Sequence, residues 1–488
     1  MKMDKIARVI QAVSSKGSHA GDVEGLAYDS RMVRPGFLFI ALPGERHDGR
    51  DFLEDALQRG AVAVVSEEKV SARKDLACFT VKDARLAMAQ LACAFYDHPS
   101  RRMDLAGVTG TNGKSTTVFM IRDILRAQGR NPGLIGTIQY EIGGRCIPAS
   151  RTTPEAPDIQ SLLDQMLRAG CESAAMEVSS HGLMQKRTWG LDFNVGVFTN
   201  LTQDHLDFHE TMEQYFEAKK LLFEGLGKGR KKAFAVVNLD DESGRRLAAD
   251  DSLSARLVTF GASAGAMVRA ERISCSAQGS TFDLVTPWGE APMRLKMLGR
   301  FNVSNALAAI ATGGSLGAGL ELMASTLASM PHVRGRLEPV DNERDLLIFV
   351  DYAHTDDALA NVLQTLREIT RNRLILVFGC GGHRDKAKRP LMGAVAARMA
   401  DYSIVTSDNP RNEDPMEIVA HVASGFGFST NFEMEVDRAK AIARALELAR
   451  EGDTVLIAGK GHENYQEFAN TVIPFDDRDA VEKVLNNK

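Results

Sequence analysis

At 488 residues the chain is too long for one hydrophobic core, and roughly three domains are expected. It is 44% hydrophobic and 25% charged, as globular chains are, and 59 basic against 64 acidic residues with no strongly basic stretch argue against nucleic acid as a partner. No apolar run approaches the ~18 residues of a membrane span, no signal peptide is evident, and the six cysteines include no CxxC pair, so a reducing, cytoplasmic setting without a zinc site is expected.

Residues 1–98 read as a first α/β unit. A polar turn from Asp29 to Gly36 precedes a short strand, Phe37 to Ala41. A helix from Phe52 to Arg59 stops at Gly60, and Ala61 to Val65 forms a second buried strand. Asp29, Ser30 and the 44–49 loop can bind a ligand or simply serve as turn chemistry.

His98-Pro-Ser100 marks a boundary, and a second unit runs over 99–330. Its first strand, Leu105 to Val108, leads into Gly110-Thr-Asn-Gly-Lys-Ser-Thr116. The helix that follows has Val118, Ile121 and Leu125 on one face and Gly129 just beyond its end. Glycines between a strand and a helix let backbone N–H groups approach an anion. Lys114 can meet outer phosphates, and Ser115 or Thr116 can hold magnesium. The loop departs from the general phosphate-loop pattern, because Val108 stands where its first glycine is expected.

A helix over Ile159 to Leu167 precedes the strand Ala174 to Val178, which carries Glu177. A carboxylate in a buried strand is costly unless something positive meets it, so Glu177 is a magnesium-ligand candidate; pairing with an unseen arginine is the alternative. The next strand, Val195 to Phe198, runs into a loop holding Asp204, His205, Asp207 and His209, which can ligate a metal or be ordinary loop polar groups. Thr211 and Gln214 have capping-box spacing. In the helix they open, Lys219 falls on the apolar stripe of Met212, Tyr215, Phe216, Leu222 and Phe223. Such a lysine either reaches out to water or is used chemically, with a depressed pKa or a covalent modification. Residues 255–298 read as short alternating strands. Asn302 and Asn305 then open a helix, where they can read an adenine edge or cap the helix.

The third unit, 331–488, repeats strand, loop and helix. Four apolar strands end in polar clusters beginning at Asp351, Gly379, Ser407 and Ala458. In a parallel sheet such clusters share one edge, where ligands bind.

The motifs Thr109-Gly-Thr-Asn-Gly-Lys114, Thr152-Thr-Pro154, Met176-Glu-Val-Ser-Ser-His-Gly-Leu183, Asn200-Leu-Thr-Gln-Asp-His-Leu-Asp207, Gly299-Arg-Phe-Asn-Val-Ser-Asn305, Tyr352-Ala-His-Thr355 and Asp408-Asn-Pro-Arg411 together resemble the Mur ligase family of bacterial cell-wall synthesis over nearly the whole chain. The resemblance implies three α/β domains: a small N-terminal one for a UDP-sugar, a central one with a phosphate-loop ATPase-like parallel sheet, and a C-terminal Rossmann-like parallel sheet. It implies an ATP-dependent ligase that adds meso-2,6-diaminopimelate to UDP-N-acetylmuramoyl-L-alanyl-D-glutamate through an acyl phosphate. A monomer with small-molecule substrates and no membrane partner is expected.

Carried over by motif, Gly110, Thr111, Asn112, Gly113, Lys114, Ser115 and Thr116 hold the ATP phosphates, Asn302 and Asn305 the adenine, Arg336 the γ-phosphate and Asp351 the ribose. Ser115, Glu177, His205 and a carbamylated Lys219 bind Mg2+, and Lys114, Glu177, His205 and Lys219 act in catalysis. Tyr28, Ser30, Glu45, Arg46, His47, Arg151, Thr152, Thr153, Ser179, Gln185 and Arg187 meet the UDP-sugar-peptide. Arg384, Asp408, Asn409, Pro410, Arg411, Gly459 and Glu463 meet diaminopimelate. Three positions depart from the family pattern: His383 follows Gly382 in place of Asp, Arg334 replaces the Pro before Gly335, and Arg151 stands where a smaller amide residue is common. Two rival activities are a related ligase acting on a folate-like glutamate tail, and a phosphate-loop switch that hydrolyses nucleotide to move.

Overall fold

The structure, a computed structural model, describes residues 1–488 except 18, 20, 45, 46, 71–75, 470, 487 and 488. Three sheets, one to a domain, organise it, and each gathers strands from one stretch of the sequence. The first has five strands in the order Ser14–Lys16, Ala77–Thr80, Ala63–Ser66, Phe37–Ile40 and Gly25–Ala27, parallel except at the Ser14–Lys16 edge. The helix expected from Phe52 is shorter, Leu53–Gln58, and is entered through a 3-10 turn, Gly49–Phe52, capped by Asp48.

The second sheet has eleven strands, and its centre is parallel as expected. Its parallel centre includes Val195–Phe198, Asp104–Thr109, Ser173–Glu177 and Pro132–Ile135. Both margins turn antiparallel, with Val268–Ser276, Gly279–Thr286 and Gly289–Leu295 at one side and Gln139–Ile142 with Arg145–Pro148 at the other. Connections such as Gly143-Gly144 are too short for the crossover that parallel pairing needs. The helices Lys114–Ala127 and Arg300–Ser315 cover one face, burying Val118, Ile121, Leu125, Val303, Leu307 and Ile310. The helices Ala156–Arg168 and Met212–Gly225 cover the other with Ile159, Leu163, Met166, Leu222 and Phe223.

The third sheet orders Glu338–Pro339, Leu347–Asp351, Thr454–Ala458, Leu374–Phe378, Tyr402–Val405 and Phe432–Met434, parallel except at the Glu338–Pro339 edge. The four expected strands therefore do lie side by side, with their polar clusters along one edge. A separate hairpin, Tyr465–Phe468 with Thr471–Pro474, lies outside that sheet and was not expected. No helix among the described residues is long and apolar enough to cross a membrane.

Candidate active site

The strand Asp104–Thr109 delivers the Gly-rich loop to the start of the helix Lys114–Ala127. Gly110 and Gly113 have φ of +147° and +84°, where a side chain is strained. A Cβ on Gly110 would strike Thr199 Oγ1, and one on Gly113 would strike Asn305 Oδ1. The next strand's end pins the loop: Thr199 Oγ1 donates to the Asn112 carbonyl at 2.7 Å, and Asn112 N donates to Asn200 Oδ1 at 2.8 Å. Thr111 Oγ1 donates to the Thr202 carbonyl at 3.2 Å. The loop is thus held open at a helix N-terminus, as an anion site requires. Thr116 is buried, and Lys114 Nζ folds back on the carbonyls of Gly110 and Thr111 at 3.0 and 2.8 Å.

Two residues of the third unit come to this loop, the first from the linker 332–338 that opens it. Arg336 Nη2 donates to Ser115 Oγ at 2.9 Å, while its Nε is buried with no hydrogen-bond partner among the described residues. Asp357 Oδ2 accepts from Asn112 Nδ2 at 3.1 Å. Asp351 is buried and accepts from the backbone N of Leu337 at 2.6 Å and of Ala353 at 2.7 Å, so it braces the linker. Burial raises its pKa against the pull of Arg336. The capping alternative for Asn302 and Asn305 fails, because Gly299 holds the cap position. Both amides are buried; Asn302 Nδ2 donates to the Leu298 carbonyl at 2.8 Å and Asn305 Nδ2 to Asn302 Oδ1 at 3.1 Å.

Glu177 ends its strand 1% exposed, and no arginine pairs with it among the described residues. Its carboxylate accepts from Thr137 N at 2.8 Å and Thr137 Oγ1 at 3.1 Å, and it faces the charge of Lys114. His205, in a left-handed conformation at φ 54°, lies 3.4 Å from Asp204; desolvation pushes its pKa down, which leaves a neutral, ligating imidazole. His181 stacks on Phe208 and meets the His205 ring edge-on. Among the described residues no three His, Cys, Asp or Glu side chains surround a common point. A buried carboxylate, a hydroxyl and a neutral imidazole beside a phosphate loop nevertheless fit Mg2+, which keeps waters and takes one or two protein ligands plus phosphate oxygens.

Lys219 does not reach water. It is 1% exposed, donates to the Gly110 carbonyl at 2.9 Å, and lies over the Tyr215 ring at 4.2 Å. Burial, and then the nearby Lys114, push its pKa well below the usual lysine value. The amine is therefore available in its neutral, nucleophilic form.

The strand-end clusters of the third sheet converge. Asp408 is buried, and its Oδ2 would be 2.8 Å from a Cβ on Gly459, which holds φ +115°. Glu463 Oε2 accepts from Asn409 Nδ2 at 2.8 Å. The Pro410 carbonyl accepts from Glu413 N at 3.1 Å, closing a turn over residues 410–413 in which Arg411 sits at φ 55°. Arg411 Nε donates to Glu467 Oε2 at 2.9 Å and its Nη1 to the Gly382 carbonyl at 2.7 Å. Arg384 is exposed and makes no hydrogen bond or ion pair among the described residues.

On the opposite side, Tyr28, Ser30 and His47 help to line a cavity of about 580 Å³ together with Asp29, Phe52 and Asp55. Glu45 and Arg46 lie outside the described residues. Tyr28 OH donates to Asp158 Oδ2 at 2.6 Å, joining the first domain to the second. Thr152 Oγ1 bonds Thr137 Oγ1 at 2.9 Å, and Thr153 Oγ1 donates to the Glu177 carbonyl at 2.9 Å. Ser179 Oγ caps the helix Ser180–Met184, and Gln185 Oε1 accepts from Arg187 at 2.6 Å. Arg151 and Arg187 both pair with Glu155.

Comparison with known proteins agrees with this layout. Residues 22–96 match the Mur ligase family catalytic domain, 108–313 the Mur ligase middle domain, and 335–461 the Mur ligase glutamate ligase domain. A protein of Solibacter usitatus named UDP-N-acetylmuramoyl-L-alanyl-D-glutamate–2,6-diaminopimelate ligase is 48% identical over 469 residues, covering 95% of this chain and 94% of its own. One of the same name from Geobacter metallireducens is 44% identical over 500 residues, covering 99% and 98%. The chain belongs to the Mur ligase family. A solved structure of that named ligase has a TM-score of 0.68 at 33% identity, covering 100% of this chain and 99% of its own.

In this Mur ligase several site residues escaped the sequence reading. Lys460 is fully buried and donates to Asn409 Oδ1 at 3.1 Å and Glu463 Oε2 at 2.9 Å. Asn409 Oδ1 also accepts from Glu467 N at 3.1 Å, so this amide cross-links the pocket. Behind it, Arg438 and Asp477, both 0% exposed, form a two-pronged ion pair with bonds of 2.7 Å, and Arg438 Nη2 also donates to the Ala458 carbonyl at 2.9 Å. The charged residues interrupting the pattern of the helix Arg438–Leu448 and the terminal helix were the available signal. His383 and Arg334, which depart from the family pattern, make structural contacts here: His383 N donates to Glu413, and Arg334 pairs with Asp476.

Proposed function

We propose that this Mur ligase is an ATP-dependent amide ligase that joins meso-2,6-diaminopimelate to UDP-N-acetylmuramoyl-L-alanyl-D-glutamate, with domains divided after residues 98 and 330. The names of its relatives support the reaction. The observation that carries the acceptor is the pocket at the third sheet's edge, where Arg411 and Arg384 stand near Asp408 and Glu463. Diaminopimelate ends in an ammonium and a carboxylate on one carbon, so its pocket needs groups of both signs.

In this reading the loop 110–116 and Lys114 hold the ATP phosphates, and Arg336 approaches the γ-phosphate from the third domain. A substrate carboxylate oxygen attacks the γ-phosphorus of ATP, the bond from that phosphorus to the β,γ-bridging oxygen breaks, and ADP leaves behind an acyl phosphate. The neutral acceptor amine then attacks the acyl carbon, the C–O bond to phosphate breaks, and the nitrogen loses a proton as phosphate leaves and the amide forms. Ser115, Glu177 and His205 hold Mg2+, which when bound neutralises charge between the phosphates and the attacking carboxylate. Lys219, as a neutral amine, adds to CO2 and loses a proton to become a carbamate. That turns a neutral amine beside Lys114 into an anion that complements the Lys114 charge. Asn302 and Asn305 lie behind Gly113 on the adenine side, and Asp351 on the ribose side. The first-domain cavity with Tyr28, Ser30 and His47 receives the uridine end, and Thr152, Thr153, Ser179, Gln185, Arg151 and Arg187 face the sugar and peptide.

The test is acceptor kinetics. Wild type should use diaminopimelate at least about tenfold better than lysine in kcat/KM, the scale of one charge-assisted contact. Arg411→Ala should lose most of that preference. Equal use of the two acceptors by wild type would falsify the assignment.

A further inference from the structure

We propose that Glu467 is the resident counter-ion of Arg411, and that it weakens the pocket's preference for a diamine with two carboxylates over one with a single carboxylate. This rests on the acceptor reading above. Arg411 is held from two sides, with Nε on Glu467 Oε2 at 2.9 Å and Nη1 on the Gly382 carbonyl at 2.7 Å. Its Nη2 makes no hydrogen bond among the described residues and is the edge left for a substrate carboxylate.

The placement of Glu467 is fixed by backbone, so it is more than a chance surface contact. The strand Tyr465–Phe468 runs alongside the Asp408–Arg411 motif: Arg411 N donates to the Glu467 carbonyl at 2.9 Å, Glu467 N to Asn409 Oδ1 at 3.1 Å, and Gln466 Nε2 to the Asp408 carbonyl at 2.9 Å. The side chains of Arg411 and Glu467 are 23% and 35% exposed.

Glu467 changes how the pocket discriminates. If Arg411 stood alone, a bound lysine would leave its partly buried guanidinium without an anion, at a cost in affinity. With Glu467 in place, lysine leaves Arg411 already neutralised, so the penalty disappears. Diaminopimelate, in contrast, brings its far carboxylate up against the charge of Glu467. The residue therefore favours lysine and disfavours diaminopimelate relative to a pocket with Arg411 alone.

Glu467→Gln keeps an oxygen to accept from Nε but removes the charge. It should raise the ratio of kcat/KM for diaminopimelate over lysine by about two- to fivefold, the size expected of a partly exposed ion pair. Glu467→Asp, which keeps the charge, should stay near the wild-type ratio. A purely structural role would lower both acceptors together and leave the ratio unchanged; that outcome, or a fall in the ratio, overturns the inference. If Arg411→Ala loses the preference while Glu467→Gln leaves it unmoved, the acceptor reading stands and only this inference fails. If wild type shows no preference, the acceptor reading itself fails.

Discussion

Lys219 and Lys114 both donate to the Gly110 carbonyl, at 2.9 and 3.0 Å, and no carboxylate bonds to either side-chain nitrogen among the described residues. A buried cation so placed lowers stability, and residues kept at such a cost are usually kept for function. Lys219→Met should therefore be about 1–4 kcal/mol more stable than the uncarbamylated wild type in CO2-free buffer, by analogy with buried charges replaced by apolar groups. Between the depressed folded pKa and about 10.4, the unfolded chain holds a proton that the folded chain lacks. Wild-type stability should rise with pH across that window, and the slope should be shallower in the Met variant, where the buried Lys114 still contributes. Lys219→Ala should bind nucleotide yet turn over at least about 10- to 100-fold more slowly, as when a metal site loses a supporting group. Excess formate or acetate should partly restore it. Wild-type turnover by the Ala variant would remove the proposed role.

At the scale of elements, the loop of residues 379–386 is organised by Glu413. Its carboxylate accepts from both terminal nitrogens of the buried Arg389, at 3.0 and 3.1 Å, and from the backbone N of His383. The Arg389 bonds chiefly, then His383 N, hold its pKa down to about 2. A lowered carboxylate contributes stability above its unfolded value of about 4.3, and loses that contribution as pH falls towards its folded value. Glu413→Gln should be less stable than wild type at pH 7, by about 2 kcal/mol after allowing for solvent screening, and so melt at a lower temperature, and the two should converge near pH 2. Parallel melting curves from pH 7 to 2 would discount the pair. Elements like this one were the least legible in the sequence. Strands such as Val195–Phe198 and Leu374–Phe378 announce themselves as apolar runs between turn residues. The burial of Lys219 could be read from its place on the helix stripe. The Glu413–Arg389 and Arg411–Glu467 pairs could not, because their partners are 24 and 56 residues apart and only the folded sheet brings them together. The antiparallel margins of the central sheet were visible only as short strands, since pairing direction depends on connection length rather than on periodicity.

At the scale of the whole molecule, the third domain already touches the phosphate loop through Arg336–Ser115 and Asp357–Asn112. Asp357→Ala should raise the KM for ATP about two- to tenfold, the value of one partly buried hydrogen bond, with little change in the acceptor KM. Solution scattering should give a smaller radius of gyration with an ATP analogue and UDP-muramyl dipeptide together than without them, and the variant should close less. An unchanged KM and an unchanged profile would argue that these contacts play no part in closure.

The buried Arg438–Asp477 pair adds a dimension of time. Asp476 holds Arg334, Arg478 holds Glu338 at 2.7 Å, and Asp477 anchors the arginine that grips the Ala458 carbonyl. Residues 476–478 therefore fasten the linker and the back of the proposed acceptor pocket at once. During synthesis, the phosphate loop leaves the ribosome some 360 residues before these three, a fixed delay at about 5–20 residues per second. A nascent chain can thus shape its nucleotide loop well before its amino-acid pocket is locked. A stalled or clipped chain lacking this segment would be a nucleotide binder with no acceptor.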